Sequence, residues 1–378
     1  MSYITSSNII SPLGFSTKET FDQLVAGQSS VRKIEDHLLS PEPFWASLID
    51  SQLLEDTWYG LTKSDAFTKF EKIAILSVFG AIKNTAIDIE SKDTGIVLCS
   101  TKGNIDLLGR NDQNFEPDRI YLWKSAEEIG RFFRNPNRPV VISNACISGL
   151  LGMIAGHRLL ESGIYKNVVV VGADIVSAFV VSGFQSFKSL SNGICKPFDA
   201  NRDGLNLGEG AATVVMSAKQ NNATDILMIG GASTNDANHI SGPSRTGEGL
   251  FHAIENSFSQ AGVGAEQTDV ISAHGTGTPY NDEMEARALA MAGLNQVPVN
   301  SLKGYFGHTL GAAGLMETTI LLESMRTGIL PATKGHEKPG VSVDLNISGG
   351  NREANFNIGL KTGSGFGGCN AAAIFSKD

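Results

Sequence analysis

Apolar, β-branched residues come in short unbroken runs along this chain, and the stretches between the runs have helix-like spacing. The runs are "TGIVLCS" at 94–100, "PVVIS" at 139–143, "NVVVVGAD" at 167–174, "AATVVMS" at 211–217, "TDILMIGG" at 224–231 and "TDVISAHG" at 268–275. Apolar side chains at consecutive positions suit strands covered on both faces. They predict a layered α/β fold, with sheets lying between helices. Residues 64–90, "SDAFTKFEKIAILSVFGAIKNTAIDIE", predict one long helix opened by a Ser or Asp cap.

Two of the helix-like segments share a pattern. "CISGLLGMIAGHRLLES" from 146 and "HTLGAAGLMETTILLES" from 308 match Gly149 with Gly311, Gly152 with Gly314, and Leu159 to Ser162 with Leu321 to Ser324. Cys146 opens one segment and His308 the other. The placement of the match at two reactive residues points to an internal duplication. The chain then divides into an N-terminal half, 1–220, carrying the cysteine, and a C-terminal half, 221–378, carrying the histidines. The early glycines, 149 and 152 included, are expected to let the two helix starts approach closely.

At 378 residues the chain is long enough for such a double-sized body. Its net charge of −9, with no basic block, argues against nucleic acid as a partner. No long apolar stretch runs free of polar interruption, so no membrane span is expected. The start "MSYITSSNIISPLG" lacks the basic flank and apolar core of a secretory signal, and the expected location is the cytoplasm. Cysteines 99, 146, 195 and 369 are too scattered for a disulfide framework or a paired-ligand zinc site, so no metal is expected.

Cys146 sits at a helix start, where unpaired N–H groups favour a thiolate, yet a free cysteine is also a common core filler. "AHGTGTPYNDEMEA" at 273–286 presents His274 at the end of a buried strand, and "LKGYFGHTLGAAG" at 302–314 places Lys303 five residues before His308. Glu317 follows on the same helix. His37, His157, His239, His252 and His336 have ordinary surroundings, His157 with no partner in prospect. Asp199, Arg202, Asp203 and Glu209 in "FDANRDGLNLGEGA" are expected to brace a loop rather than to react.

Taken in order, "NACISG", "FDANRDGLNLGEGA", "HGTGTPYNDEMEA", "KGYFGHTLGAAG" and "GFGGCNA" resemble the motifs of the β-ketoacyl-acyl carrier protein synthases, and "YITSSNIISPLG" resembles that family's opening strand and turn. The resemblance spans nearly the whole chain. It implies the thiolase-like fold, two duplicated α/β halves in a layered αβαβα core, and no cofactor. It implies further that Cys146 takes an acyl group from a carrier-protein thioester, while His274 and His308 stabilise the enolate formed as a malonyl thioester loses carbon dioxide. Lys303 would tune the histidines, with Glu317 as its acidic partner. The N–H groups of Cys146 and Phe366 would form an oxyanion hole, and Phe366, set between Gly365 and Gly367, would gate the acyl site. The implied partner is an acyl carrier protein, in fatty acid, polyketide or polyene synthesis, with Lys63, Lys69 and Lys72 as its expected basic dock.

The chain also departs from that family's pattern. The stretch between "GFQSFKSLS" and "KPFDANRDG" is cut to "NGIC", the segment before Cys146 is short, and Cys369 stands where the family usually has Thr. A thiolase would use a second cysteine as a base, but in a different glycine motif and without the spacing of Lys303 and His308, and Cys369 is read as a small packing substitution. The assembly is expected to be a homodimer, or a heterodimer with a related, chain-length-setting partner.

Overall fold

The computed structural model describes residues 2–108, 114–236 and 242–377; His239 lies outside them. Ten strands form one hydrogen-bonded sheet. In chain order they are β1 (Ser2–Ile10), β2 (Thr94–Cys99), β3 (Val140–Ile142), β4 (Asn167–Asp174), β5 (Gly210–Ser217), β6 (Ile226–Asn235), β7 (Val270–Ser272), β8 (Val299–Asn300), β9 (Ile358–Gly365) and β10 (Cys369–Ser376). The helices that matter for the site are α1 (Lys69–Ile82), α2 (Ser148–Glu161), α3 (Ala178–Ser186), α4 (Glu248–Ala261), α5 (Pro279–Met291) and α6 (Ala313–Thr327).

Across the sheet the order is β3-β2-β4-β5-β1-β6-β10-β9-β7-β8. Each strand of the first half corresponds to the strand five places later in the second. β1 and β5 pair antiparallel as β6 and β10 do, β5 and β4 antiparallel as β10 and β9 do. The β4, β2 and β3 ladder is parallel, as is that of β9, β7 and β8. The halves join where Ser2–Ile4 pairs with Ile226–Met228.

The unbroken apolar runs are explained by the layers. On β4, Val168 and Val170 face a core shared by α2 and α6, whereas Val169 and Val171 face a second core against α1. The first core also takes Ala371, Ala373 and Phe375 of β10. α2 and α6 are thus sandwiched between the two half-sheets. A third core packs α4 and α5 on Leu360, Ala372 and Ile374. The result is the layered α/β/α/β/α arrangement of a thiolase-like fold.

Two local expectations need correction. The helix expected over 64–90 runs only from 69 to 82, because Thr68 and Glu71 make a reciprocal capping box and set its start. The repeat is real in space but displaced by three residues. α2 starts at Ser148 and α6 at Ala313, and each is followed at its C-terminal end by a left-handed glycine, Gly163 and Gly328. The contacts agree: a Cβ on Gly149 would meet the Leu315 backbone N–H nitrogen at 2.9 Å, and one on Gly314 would meet that of Leu150 at 2.9 Å. Gly149 therefore corresponds to Gly314, and Cys146 to Gly311 rather than to His308. Gly152 has a different task from the one expected: it makes room for Cys99 of β2, not for α6.

Candidate active site

The parallel strands β2 and β3 end together in the first half, as β7 and β8 do in the second, and beyond β3 and β8 the chain leads into α2 and α6. α2 begins without a side-chain cap. Its first N–H groups are therefore unpaired within the helix, and they face the turn that holds Cys146. Ala145 carries φ of 44°, a left-handed conformation costing a non-glycine residue roughly 1 kcal/mol. That turn is held by the Ser148 hydroxyl, which donates to the Ala145 carbonyl at 2.7 Å and accepts from the Asn144 N–H at 2.8 Å.

The structure brings Cys146, His274 and His308 together. His308 Nε2 lies 3.0 Å from Cys146 Sγ, and the two imidazoles stand edge to face with centroids 5.2 Å apart. Cys146 is partly exposed while both histidines are buried. Two carboxylates fix the His274 loop from behind. Glu285 of α5 accepts from the His274 and Gly275 N–H groups, at 2.7 Å each, and from the Thr362 hydroxyl at 2.7 Å. Asp282 accepts from Thr276, Gly277 and Phe198 N–H groups. Burial without an ionic partner pushes the Asp282 carboxyl up to about 6. The acidic first turn of this helix therefore serves the loop rather than the helix alone.

Lys303 is wholly buried and spends all three protons: on the His274 carbonyl, on His274 Nδ1 at 3.3 Å and on Glu317 at 2.6 Å. A proton donated to Nδ1 leaves the other nitrogen, Nε2, as the one carrying hydrogen. Behind it the sequence reading missed Lys361, which is buried on β9, 2.9 Å from the other oxygen of Glu317, and bonded to the carbonyls of Ser272, Ala273 and Thr362. Its one signal in the sequence was a lone lysine inside "IGLKTGSG". Two ammonium groups thus share the Glu317 carboxylate behind the histidines.

Burial, then Lys303 and Lys361, hold both His274 and His308 well below the usual imidazole range, so both are neutral at pH 7. Burial of the sulfur, with the neighbouring Cys369 thiol, pushes the Cys146 thiol up to about 12, only partly opposed by Lys303, Lys102 and the Phe366 N–H that bonds its sulfur. The resting pair is accordingly thiol and neutral imidazole, with His308 placed to take the proton. The three ligand atoms lie within 4.8 Å of one another, close enough for a metal. The neighbouring lysines oppose a dication there and favour proton transfer.

The cluster lies at the base of a cavity of about 350 Å³ lined by Phe184, Phe187, Tyr280, Met284 and Phe366 among others. Phe366 stacks on Phe184 at 5.8 Å and meets Phe187 edge-on at 5.3 Å. It follows Gly365 on a turn in which Gly367 and Gly368 are left-handed. Cys369 directs its thiol to the carbonyls of Asn144 (3.7 Å) and Phe366 (3.5 Å).

The remaining expected residues fall outside this centre. Asp199 and Glu209 accept backbone N–H groups, and Arg202 donates to the carbonyls of Asp199 and Gly340, so they brace loops through the backbone rather than by pairing with each other. His157 does have partners, Ser2 at 2.8 Å and Glu161 at 3.3 Å. The basic dock needs revision: Lys69 is tied to buried Glu209 at 2.5 Å and Lys72, itself buried, to Glu55 at 2.6 Å. Burial of Glu209 recruits the first lysine inward. Of the three only Lys63 is exposed.

Residues 3–222 match the sequence model "Beta-ketoacyl synthase, N-terminal domain" and residues 227–337 the corresponding "C-terminal domain". The chain is 29% identical over 410 residues to 3-oxoacyl-[acyl-carrier-protein] synthase 2 of Coxiella burnetii, covering 99% of this chain and 98% of that one. It is 28% identical over 414 residues to the tetracenomycin polyketide synthase ketoacyl synthase alpha subunit of Streptomyces glaucescens, covering 99% and 96%. Its fold superposes on that of the ketosynthase ApeO from Xenorhabdus doucetiae, solved with its chain length factor, with TM-score 0.88, 23% identity and 99% and 97% coverage.

Proposed function

The chain belongs to the β-ketoacyl synthase family of carbon–carbon bond-forming acyltransferases, and from that premise we propose the roles of its residues in a decarboxylative Claisen condensation of malonyl-acyl carrier protein with an acyl group held on Cys146. The supporting observation is the 3.0 Å approach of neutral His308 to the Cys146 thiol, with the His274 ring beside it.

In the first half-reaction His308 takes the thiol proton and the Cys146 sulfur attacks the acyl thioester. The bond to the carrier-protein thiol breaks, and that thiolate leaves with the proton. The N–H groups of Cys146 and Phe366 receive the charge that develops on the carbonyl oxygen. In the second, the malonyl thioester oxygen lies between the Nε2 atoms of His274 and His308. The carboxylate–carbon bond breaks, carbon dioxide leaves, and both imidazoles donate to the enolate oxygen, His308 now in the tautomer that carries its hydrogen on Nε2. The carbanion then attacks the acyl-Cys146 carbonyl, expelling the Cys146 thiolate, which recovers a proton from solvent. The product is a 3-oxoacyl thioester two carbons longer. Holding the acyl group covalently lets one site run two steps. Phe366 gates the cavity, and Lys303 with Glu317 sets the tautomer and charge of His274.

The partners in this reading are a loaded acyl carrier protein, met in part by exposed Lys63, and a second ketosynthase-like chain, in the cytoplasm. β3 ends the sheet with Val140 exposed, whereas its counterpart β8 is covered by the segment at Ile347. An open strand edge of that kind invites another chain. The halves 1–220 and 221–378 are read as products of one duplication. No helix among the described residues is long and apolar enough to cross a membrane.

Intact-mass spectrometry of the chain with a panel of acyl carrier proteins tests the proposal. Wild type gains one acyl group, while Cys146→Ala loses loading by on the order of 10⁴-fold or more yet still decarboxylates malonyl thioester. Loading that survives Cys146→Ala overturns the assignment. Loading that occurs only after addition of a separate ketosynthase-like chain selects the heterodimer over the homodimer.

A further inference from the structure

The equivalence of Cys146 with Gly311 extends to the strand that faces each turn. β4 and β9 correspond over their whole lengths, so Asp174 ends one as Gly365 ends the other, and each pairs with the first residue of the next strand, Gly210 or Cys369. At the catalytic turn the facing residue is Gly365, which brings no side chain and packs so closely that a Cβ there would lie 2.9 Å from the Cys146 N–H nitrogen and from Cys369 Sγ. At the equivalent turn the facing residue is Asp174, whose carboxylate accepts from the Gly311 N–H at 2.7 Å. It also accepts from the Ser100 hydroxyl (2.8 Å), the Thr101 N–H (3.1 and 3.2 Å) and hydroxyl (3.2 Å), and the Lys102 N–H (3.2 Å), and it is fully buried.

We propose that Asp174 is a positioning residue for His308, a resident anion in the pseudo-twofold counterpart of the oxyanion hole that locks the turn from which His308 approaches Cys146. The inference rests on the reading of His308 as the base for Cys146. Gly311 is three residues from His308, and left-handed Leu310 lies between them. The His308 N–H is fixed at its own end to the Asn206 carbonyl at 2.7 Å. Asp174 fixes the other end and ties it to the loop after β2. Every atom that touches the carboxylate is a donor, so the site suits a charge rather than a neutral side chain. With Asp174 removed, the Gly311 N–H loses its acceptor and the turn can drift, which separates His308 Nε2 from the sulfur.

The rate of Cys146 alkylation by iodoacetamide as a function of pH, measured on the full chain, tests this without any carrier protein. Asp174→Gly gives the first half what Gly365 gives the second and should slow alkylation about 10²-fold, the size expected for a misplaced group. Added formate, small enough for the vacated space, should restore a large part of the rate. Asp174→Asn keeps the volume but turns an amide NH₂ toward N–H donors; it should alkylate roughly tenfold more slowly, with no response to formate. His308→Ala separates the two levels. If it alkylates like wild type, the base reading falls and this inference with it. If it is slow while both Asp174 variants keep the wild-type rate and pH profile, this inference alone falls. A lowered melting temperature without a change in pH profile or a formate response also overturns it, since Asp174 would then be a brace. Should Asp174→Gly fail to fold, the isosteric Asn variant decides alone.

Discussion

The turn at Cys146 and the turn at Gly311 have one backbone and opposite uses. Each has a left-handed non-glycine residue, Ala145 or Leu310, just before a helix start, and each faces the end of a matching strand. At the first turn the opposite residue is Gly365, the N–H is free to meet a substrate oxygen, and a thiol looks into the cavity. At the second the opposite residue is Asp174, the N–H is already paired, and the chain just before it supplies His308. One side-chain position thus separates a turn that meets changing charge from a turn that must stay still. The proposed mechanism needs both, since a hole preorganised for the oxyanion is useful only if the base is held in place.

The most direct way to break the comparison is to make the two turns alike. Gly365→Asp puts a carboxylate where the developing oxyanion belongs. Condensation should fall by on the order of 10²–10³-fold, as when an oxyanion donor is lost. Crowding adds to this, because the new Cβ would meet both Cys146 N and Cys369 Sγ at 2.9 Å. A steady-state condensation assay with a melting curve checks it. Near-normal turnover in a folded variant would show that the free Cys146 N–H carries no charge in the reaction.

The charge cluster behind the histidines sharpens the same contrast. Wild type should show no loss of decarboxylation as pH falls through 6.5, because both imidazoles titrate well below that value. Lys303→Ala removes a charge that depresses both, so their pKa values rise and protonation begins at higher pH. The acid limb of the decarboxylation profile should move upward, with activity about tenfold lower at pH 6 and less affected at pH 8. A uniform loss at all pH values would make Lys303 a brace rather than a tuning charge.

What the sequence could show follows from what local patterns record. β4 was legible along its length because a strand covered on both faces keeps its inner positions, Val168 to Ala173, apolar or small. Cys146, His274, His308, Lys303 and Glu317 were named from ordered motifs, and all five come together in the structure. The repeat was visible but offset by three residues for a simple reason. A shift of three or four residues along a helix returns nearly the same face, so "LLES" aligned with "LLES" resembles a correct match although the packing differs by about a turn. Lys361 and Asp174 left almost no trace: each is one charged residue in an apolar or small-residue strand, and its meaning comes from partners 44 to 137 positions away. The sequence does not show that Glu209 is buried and draws Lys69 inward or that Lys72 is itself buried, so of the expected lysines only Lys63 is left exposed.

The corrected register has its own test, smaller in size. A Cβ on Gly149 would meet Gly311 O and Leu315 N at 2.9 Å, and one on Gly314 would meet Leu150 N at 2.9 Å and Leu150 Cβ at 3.0 Å. Neither backbone can retreat without moving the other helix. Gly149→Ala and Gly314→Ala should therefore cost the same amount, about 1–3 kcal/mol each, read from denaturant titration. Clearly unequal costs would mean that the two helix starts are not pseudo-equivalent, and the pairing of Asp174 with Gly365 would lose its footing.

The smallest effect is expected at Cys369, the counterpart of Gly210 and the residue that separates two mechanisms. A thiolase-type base would have to reach the reacting carbon, but this thiol is engaged with the Asn144 and Phe366 carbonyls and burial pushes it up to about 11. Neither property suits a base. Its role is to support the turns on either side of the oxyanion hole, and a threonine hydroxyl can donate to the same carbonyls from the same place. Cys369→Thr should change stability by less than about 1 kcal/mol and leave condensation within roughly threefold of wild type. The same small change is expected for acyl loading alone, because the cysteine enters neither half-reaction. Loss of condensation with loading intact would place Cys369 among the reacting groups and return the site to thiolase chemistry.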